Sequence, residues 1–441
     1  MNASSVRWLS EGSGDPAPAT TIAEDAQSAG SPAGPGAAAS QNALAADAQR
    51  DVRVAQSAGQ AVRSAFVSAD PGISTVRQDP GFRSLSVVDN MTDPQTGKIT
   101  SRWLGRFILE SGAVLPDLVI AYRHDGVPIG EGRQILVIHA LTGSADAAGD
   151  WWSPLIGPGL ALDTDRVGVL SMNLLGGRYG TTGPTSPDPA TGRPYGATFP
   201  SISTRDQARA HWALLDALGV PGLALVVGGS LGGMVALEVA LERPDAVRSV
   251  VPIAAPAATG ALAVAWNAIQ RALVDRLGED GLALARQLAM TTYRSEADFD
   301  QRFGRAAEAD GTPSIVSYLR YQGEKLVRRF DPDTYRTLVD AMDRHDIGAG
   351  RGGVGPALAR LADHGVRLTG LGISGDILYG PDQVRTLVNA AAAEGAHARY
   401  LELQSTKGHD AFLVEWDALA VIFRGVLDEA LAPRPVLRPR E

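Results

Sequence analysis

Apolar positions along the chain predict buried strands that alternate with amphipathic helices. Strands, most of them continuous apolar runs typical of burial on both faces, are predicted at 134–138, 167–172, 223–227, 247–253, 368–373 and 399–403. Apolar residues recur at helical spacing at 204–218, 231–238, 382–394 and 414–431. Strands separated by helices indicate a mostly parallel sheet with helices on both faces.

Two regions depart from this alternation. Residues 106–122 predict two antiparallel strands around a turn at Ser111 and Gly112. At about 258–345, helical patterns occupy a place where the alternation would put a strand. They cover 266–277, 281–290, a charged stretch around 299–303, and 317–330. We expect this insertion to form a helical lid over the ends of the strands.

The first part of the chain differs in composition from the rest. Residues 1–87 consist mainly of Ala, Gly, Ser and Pro, as in the run Ser31–Ser40, and contain few large apolar side chains. Such a segment buries too little surface to offset the entropy lost on ordering. We therefore expect a disordered extension at 1–87 and a single domain at 88–441.

One predicted strand ends in a pattern that can carry chemistry. Residues 228–232 read Gly-Gly-Ser-Leu-Gly between a strand and a helix. In the G-x-S-x-G nucleophile elbow, the outer glycines let strand and helix approach closely, and a strained turn exposes the serine hydroxyl. The same five-residue pattern also arises by chance in glycine-rich turns with a buried serine. Ser230 is a candidate nucleophile whose role depends on an acid and a histidine later in the chain.

A candidate acid and a candidate histidine follow later strands. Asp376 comes after the strand at 368–373, and His409 comes after the strand at 399–403. The order serine, acid, histidine, each at the carboxyl end of a strand, is that of the α/β-hydrolase fold. We predict a catalytic triad in which Ser230 attacks, His409 is the general base and Asp376 orients the imidazole.

Two backbone amides are candidates for the oxyanion hole. In this fold, the N–H of the residue after the nucleophile acts together with an N–H from an early loop. The early loop here is His139-Ala140-Leu141-Thr142-Gly143, which follows the strand at 134–138. The amides of Leu141 and Leu231 are therefore assigned to this role. His139 precedes the serine, which favours a role in holding the loop by hydrogen bonds over a catalytic one.

Composition limits the remaining functions. The net charge of −9 and a pI near 5.4 argue against a nucleic-acid or membrane-surface binder, which would carry a basic excess. The absence of cysteine excludes disulfides, thiolate metal sites and cysteine nucleophiles. No metal site and no membrane contact are predicted. The first residues lead into no apolar signal-peptide core, so a cytoplasmic location is the default expectation.

Several longer motifs carry a resemblance to a known family. Together they extend from about Phe107 to the C-terminal helix, and they are far more specific than the elbow alone. The chain resembles the homoserine O-acetyltransferase family of α/β-hydrolase-fold acyltransferases in these segments: 139–143, 155–159, 162–166, 173–177, 180–184, 192–196, 228–234, 318–323, 341–344 and 408–413.

The resemblance implies a two-step acyl transfer in methionine biosynthesis. Acetyl-CoA would be a co-substrate, with no permanently bound cofactor, and Ser230 would carry the acetyl group to the hydroxyl of L-homoserine. In the family, a lid arginine binds the carboxylate of the amino acid, and the aspartate beside the catalytic histidine binds its ammonium group. The matching residues here are Arg286 and Asp410. Relatives also imply a homodimer that pairs through lid helices.

The choice of acyl group rests on one position. Relatives that use succinyl-CoA look to carry an arginine two residues beyond the triad aspartate. This chain has Leu378 at that position. An apolar side chain offers no partner to a second carboxylate, so acetyl-CoA is predicted.

Some features leave alternatives open. The lid between Ala258 and Arg286 is shorter than in several relatives, Arg178 replaces a small residue or cysteine, and Leu231 replaces a common methionine. Serine is therefore an alternative acceptor. With water as acceptor, the same triad would give an esterase or thioesterase, which has no need for the pair Arg286 and Asp410.

Overall fold

An eight-stranded sheet lies at the centre of residues 97–433, the part of the chain that this computed structural model describes. Its strands are β1 (Ile99–Ile108), β2 (Val114–Gly126), β3 (Gln134–Ile138), β6 (Gly168–Met172), β7 (Leu223–Gly229), β8 (Ser249–Ile253), β9 (Arg367–Ile373) and β10 (His397–Leu403). Two short strands, β4 (Ile156–Gly157) and β5 (Leu162–Asp163), pair separately. The extension predicted at 1–87 lies outside the described residues.

The strand order is β1-β2-β6-β3-β7-β8-β9-β10. The first two strands form an antiparallel hairpin, as the sequence predicted, and β2 is also antiparallel to β6. All later neighbours are parallel. The carboxyl ends of these parallel strands therefore meet at one edge of the sheet.

Strand β3 shows why its apolar run is unbroken. Leu136 and Ile138 face one hydrophobic core, and Ile135 and Val137 face the other. All five of its residues are buried. Because successive side chains in a strand point to opposite faces, a sheet covered on both sides favours apolar residues at successive positions, as at residues 135–138.

Helices cover both faces and form the lid. They are α1 (Thr204–Ala217), α2 (Leu231–Glu242), α3 (Ala261–Leu277), α4 (Glu279–Tyr293), α5 (Glu296–Arg302), α6 (Ser314–Val327), α7 (Pro332–Asp343), α8 (Val354–Asp363), α9 (Pro381–Ala393), α10 (Ala411–Val414) and α11 (Trp416–Leu431). A capping box fixes the start of α1, because Ser203 accepts from the Asp206 amide and the Asp206 side chain accepts from the Ser203 amide.

The inserted helices agree with the predicted lid and add one helix to it. Five helices, α3 to α7, lie between β8 and α8 in the described chain, whereas the sequence pattern indicated four. The fifth, α7, has clear start signals: Asp331 accepts a hydrogen bond from the Thr334 amide, and Pro332 occupies the first turn. Within residues 97–433, no helix combines the length and apolar character needed to cross a bilayer.

Candidate active site

The nucleophile elbow has the strained geometry that its glycines require. Ser230 adopts φ 57° and ψ −125°, and its amide donates to the Ile253 carbonyl at 2.9 Å. A Cβ on Gly228 would collide with the Gly232 carbonyl, and one on Gly232 would collide with the Ile138 carbonyl. The two glycines therefore permit the close approach of β7, α2 and the early loop, and Ser230 stands at the start of α2.

Asp376 and His409 form a short, buried hydrogen bond. The Nδ1 atom of His409 lies 2.6 Å from Oδ2 of Asp376, and the side chains are 3% and 0% exposed. The other carboxylate oxygen accepts the amides of Leu378 and Tyr379 at 2.8 and 3.0 Å. With both oxygens held, the carboxylate has one orientation toward the imidazole.

The environment of His409 raises its pKa, as a general base would require. Burial by itself lowers the pKa of His409, but the charge of Asp376 and its hydrogen bond outweigh burial, and the pKa is raised above its ordinary value. The Nε2 atom is buried and has no hydrogen-bond partner among the described residues. No hydrogen bond therefore joins His409 Nε2 to Ser230 in this structure. In structures without substrate, the hydrogen bond between base and nucleophile is often long or poorly aligned.

Aromatic rings surround the imidazole. The rings of Tyr379, Phe412 and Tyr293 lie 5.6, 5.7 and 5.8 Å from that of His409, measured between centroids. Phe412 also lies against β7, where a Cβ on Gly229 would collide with its ring. One side chain thus contacts both the histidine and the strand end that carries Ser230.

The early loop forms a tight turn that aims the Leu141 amide. The Ala140 carbonyl accepts from the Gly143 amide at 2.9 Å and from His139 Nδ1 at 2.7 Å. A trans peptide points its N–H opposite to its C=O, so these two bonds fix the direction of the Leu141 N–H. No hydrogen bond joins the amides of Leu141 and Leu231 to another group within residues 97–433. Both N–H groups remain available to an oxyanion.

His139 has a structural role in this loop, as the sequence favoured. Its Nε2 accepts the Leu174 amide at 3.2 Å, which leaves the proton on Nδ1 for the Ala140 carbonyl. Burial lowers the pKa of His139 to about 4, so the ring is neutral near pH 7.

The two residues assigned to the acceptor both lie near Tyr293. The guanidinium of Arg286 is 5.3 Å from the centre of the Tyr293 ring. Burial raises the pKa of Tyr293, and the nearby charges of Arg286 and Asp410 act on it in opposite directions. Asp410 is paired with Arg294, whose Nε lies 3.3 Å from Oδ2, and not with Arg286.

Sequence reasoning missed the lid segment that holds the loop carrying His409. Asp298, fully buried in α5, binds Lys407 at 2.8 Å and lies 3.6 Å from Arg294. Ser295 donates to the Thr406 carbonyl. Tyr293 and Arg294 lie just beyond the helix predicted at 281–290, where α4 ends in the structure, and an aromatic residue beside a cation was the available signal.

Leu378 and Arg178 are each accounted for by contacts. Leu378 is 6% exposed, and its amide is one of the two that hold Asp376. Arg178 lies 3.7 Å from Asp331, so it joins the long loop after β6 to the start of α7.

Comparisons with known proteins agree with this architecture. A sequence family described as alpha/beta hydrolase fold matches residues 134–322. The homoserine O-acetyltransferase of Moorella thermoacetica is 42% identical over 366 residues, which are 76% of this chain and 97% of that protein. A crystal structure of homoserine O-acetyltransferase from Staphylococcus aureus, at 30% identity, has a TM-score of 0.66 and covers 77% of this chain and 97% of its own. Esterase E22, at 24% identity and a TM-score of 0.69 over 75% of this chain and 99% of its own, is similar in fold.

Proposed function

This chain belongs to the homoserine O-acetyltransferase family, and from that premise we propose that it transfers an acetyl group from acetyl-CoA to the hydroxyl of L-homoserine. The observation that carries the proposal is the 42% identity to a homoserine O-acetyltransferase over 76% of this chain. The hydrogen bond between Asp376 and His409, which leaves a buried imidazole nitrogen unpartnered, supports the acyl-transfer chemistry. The product would serve methionine biosynthesis, and we expect the reaction in the cytoplasm.

The first half-reaction makes an acyl-enzyme. His409 Nε2 takes the proton of the Ser230 hydroxyl as the Ser230 oxygen attacks the thioester carbonyl. The amides of Leu141 and Leu231 hold the resulting oxyanion. When the carbon–sulfur bond breaks, the leaving thiolate takes the proton from His409. The products are acetyl-Ser230 and free CoA, and Asp376 stabilises the imidazolium between the two proton transfers.

The second half-reaction transfers the acetyl group to the acceptor. His409 removes the hydroxyl proton of homoserine, whose oxygen attacks the acetyl carbonyl, and the released Ser230 oxygen takes that proton back. Arg286 would bind the acceptor's carboxylate, and Asp410 its ammonium group. Since Asp410 also pairs with Arg294, the ammonium group would share this carboxylate with a lid cation.

The acyl donor is proposed to be acetyl-CoA. The buried, apolar Leu378 beside Asp376 supports this choice, because a succinyl carboxylate would meet no cation from that position. Rates with acetyl-CoA and succinyl-CoA under identical conditions test it, and faster succinylation would contradict the assignment.

The transferase assignment is tested by following CoA release with and without an amino-acid acceptor. We expect release to depend on homoserine and the product to be O-acetylhomoserine when homoserine and serine are offered together. Release at the same rate without acceptor would indicate a hydrolase instead, and acetylserine as the main product would make serine the acceptor. The Ser230→Ala variant is the control and should release no CoA.

A homodimer is proposed through the lid. Helix α3 presents an apolar stripe at helical spacing, with Leu262, Ile269 and Leu277 exposed by 60, 52 and 47%. Such a stripe is typical of a helix face that packs against a partner. Light scattering should give twice the chain mass, and Ile269→Glu should give a monomer. A monomeric unsubstituted protein at micromolar concentration would refute the pairing.

A further inference from the structure

A lid arginine reaches the turn that carries the Leu141 amide. Arg329 lies between α6 and α7, and its Nη1 donates to the Thr142 carbonyl at 2.6 Å. Its Nη2 lies 3.3 Å from the Thr142 hydroxyl. Arg329 and Thr142 are 187 positions apart, so it is the packing of the lid that brings the guanidinium to this loop.

The contact continues as a head-to-tail chain of peptide groups. Arg329 donates to the Thr142 carbonyl, and the opposite edge of that peptide is the Gly143 N–H, which donates to the Ala140 carbonyl at 2.9 Å. The peptide group that contains the Ala140 carbonyl also contains the Leu141 N–H, which lies on its opposite edge. Because hydrogen bonds in series polarise one another, the cation both fixes and strengthens this last donor.

Tyr179 holds the arginine in place. Its hydroxyl donates to the Arg329 carbonyl at 3.0 Å and lies 3.3 Å from Nη1. Tyr179 has φ 64°, an uncommon conformation for a residue with a Cβ, and Asn173 donates to its carbonyl at 2.7 Å. A strained backbone persists where its surroundings over-determine it, often at functional sites.

We propose that Arg329 is a positioning residue, which couples the packing of the lid on the early loop to the alignment and polarity of the oxyanion donor Leu141. This inference rests on the proposed oxyanion role of the Leu141 amide. Arg329 acts through two peptide groups, so its removal should weaken stabilisation of the transition state and leave binding of the ground state nearly unchanged.

The test uses the full chain and p-nitrophenyl acetate, which has neither a CoA nor an amino-acid moiety. The burst of p-nitrophenol reports the acylation rate of each active site. We expect Arg329→Met to lower that rate by about 10- to 100-fold, less than the loss of a whole oxyanion donor, with KM nearly unchanged. Arg329→Lys, which keeps the charge, should recover part of the rate.

A second readout isolates the oxyanion. A trifluoromethyl ketone forms a tetrahedral adduct with a nucleophilic serine and places its oxyanion in the hole. Its inhibition constant should rise in Arg329→Met by the same factor as the acylation rate falls. Arg336→Met is the matched control, because Arg336 also lies in the lid, 32% exposed, and pairs with Asp333 and Asp275. Its burst and inhibition should equal those of the unsubstituted protein.

The outcomes separate this inference from the proposed function. An unchanged burst rate per site in Arg329→Met, or an equal fall in Arg336→Met, would overturn the role of Arg329. If Arg329→Met does not fold, Tyr179→Phe and Arg329→Lys decide, and full rates in both would overturn it. A burst that persists in Ser230→Ala would instead refute the assignment of Ser230 as the nucleophile.

Discussion

Replacing Asp376 by asparagine tests how the triad sets the state of His409. One oxygen of Asp376 accepts two backbone amides, and the asparagine carbonyl can keep both bonds. Its amide nitrogen then faces His409 Nδ1 in place of the carboxylate oxygen now found at 2.6 Å. Nδ1 must accept a hydrogen bond, so the imidazole proton moves to Nε2, the atom needed as the base.

The expected effect combines the wrong tautomer with the loss of a buried charge. In serine hydrolases, the same change lowers kcat by about 10⁴-fold, and each factor of ten corresponds to about 1.4 kcal/mol of barrier. We expect a loss of about 10³- to 10⁴-fold, or roughly 4–5.5 kcal/mol. The pKa of His409 should also fall, because burial still lowers it while the two effects of Asp376 that raise it are gone.

The assay follows CoA release from acetyl-CoA with homoserine across the pH range. In the proposed mechanism neutral His409 is the active form, so activity should rise with pH through its pKa, and the acid limb should move to lower pH in Asp376→Asn. Asp382→Asn is the control, because Asp382 is 90% exposed at the start of α9 and should leave the profile unchanged. A rate within about tenfold of the unsubstituted enzyme, or an acid limb moved to higher pH, would refute the reasoning.

Three further predictions concern other parts of the molecule. Ser230→Gly should unfold at higher urea concentration than Ser230→Ala, by about 1 kcal/mol, because only glycine relaxes at φ 57°; equal midpoints would contradict this strain. Burial lowers the pKa of His345 to about 4, so stability present above its unfolded pKa of about 6.5 is lost as pH falls to about 4. In urea titrations, His345→Gln should lose about 3 kcal/mol less unfolding free energy than the unsubstituted protein as the pH falls to about 4. An unchanged dependence of the unfolding free energy on pH would argue against this role of His345. Asp410→Asn should raise KM for homoserine about tenfold or more while the p-nitrophenyl acetate burst persists, and an unchanged KM would exclude Asp410 from ammonium binding.

Much of the fold was predictable because its signals are local. The apolar run of β3 and the amphipathic stretch of α1 each lie within a few residues, and both elements were predicted nearly within their bounds. Helix α7 has equally local start signals at Asp331 and Pro332, so its omission was an error of interpretation rather than a lack of information.

The sequence by itself determined the elbow at Ser230 and the order of the acid and the histidine that follow it, because glycine spacing and strand ends are properties of short segments. The tertiary structure decided which groups meet between segments. Arg294 pairs with Asp410, and Arg329 reaches Thr142 across 187 positions. No periodicity encodes such contacts, since they depend on how the lid packs on the strand ends.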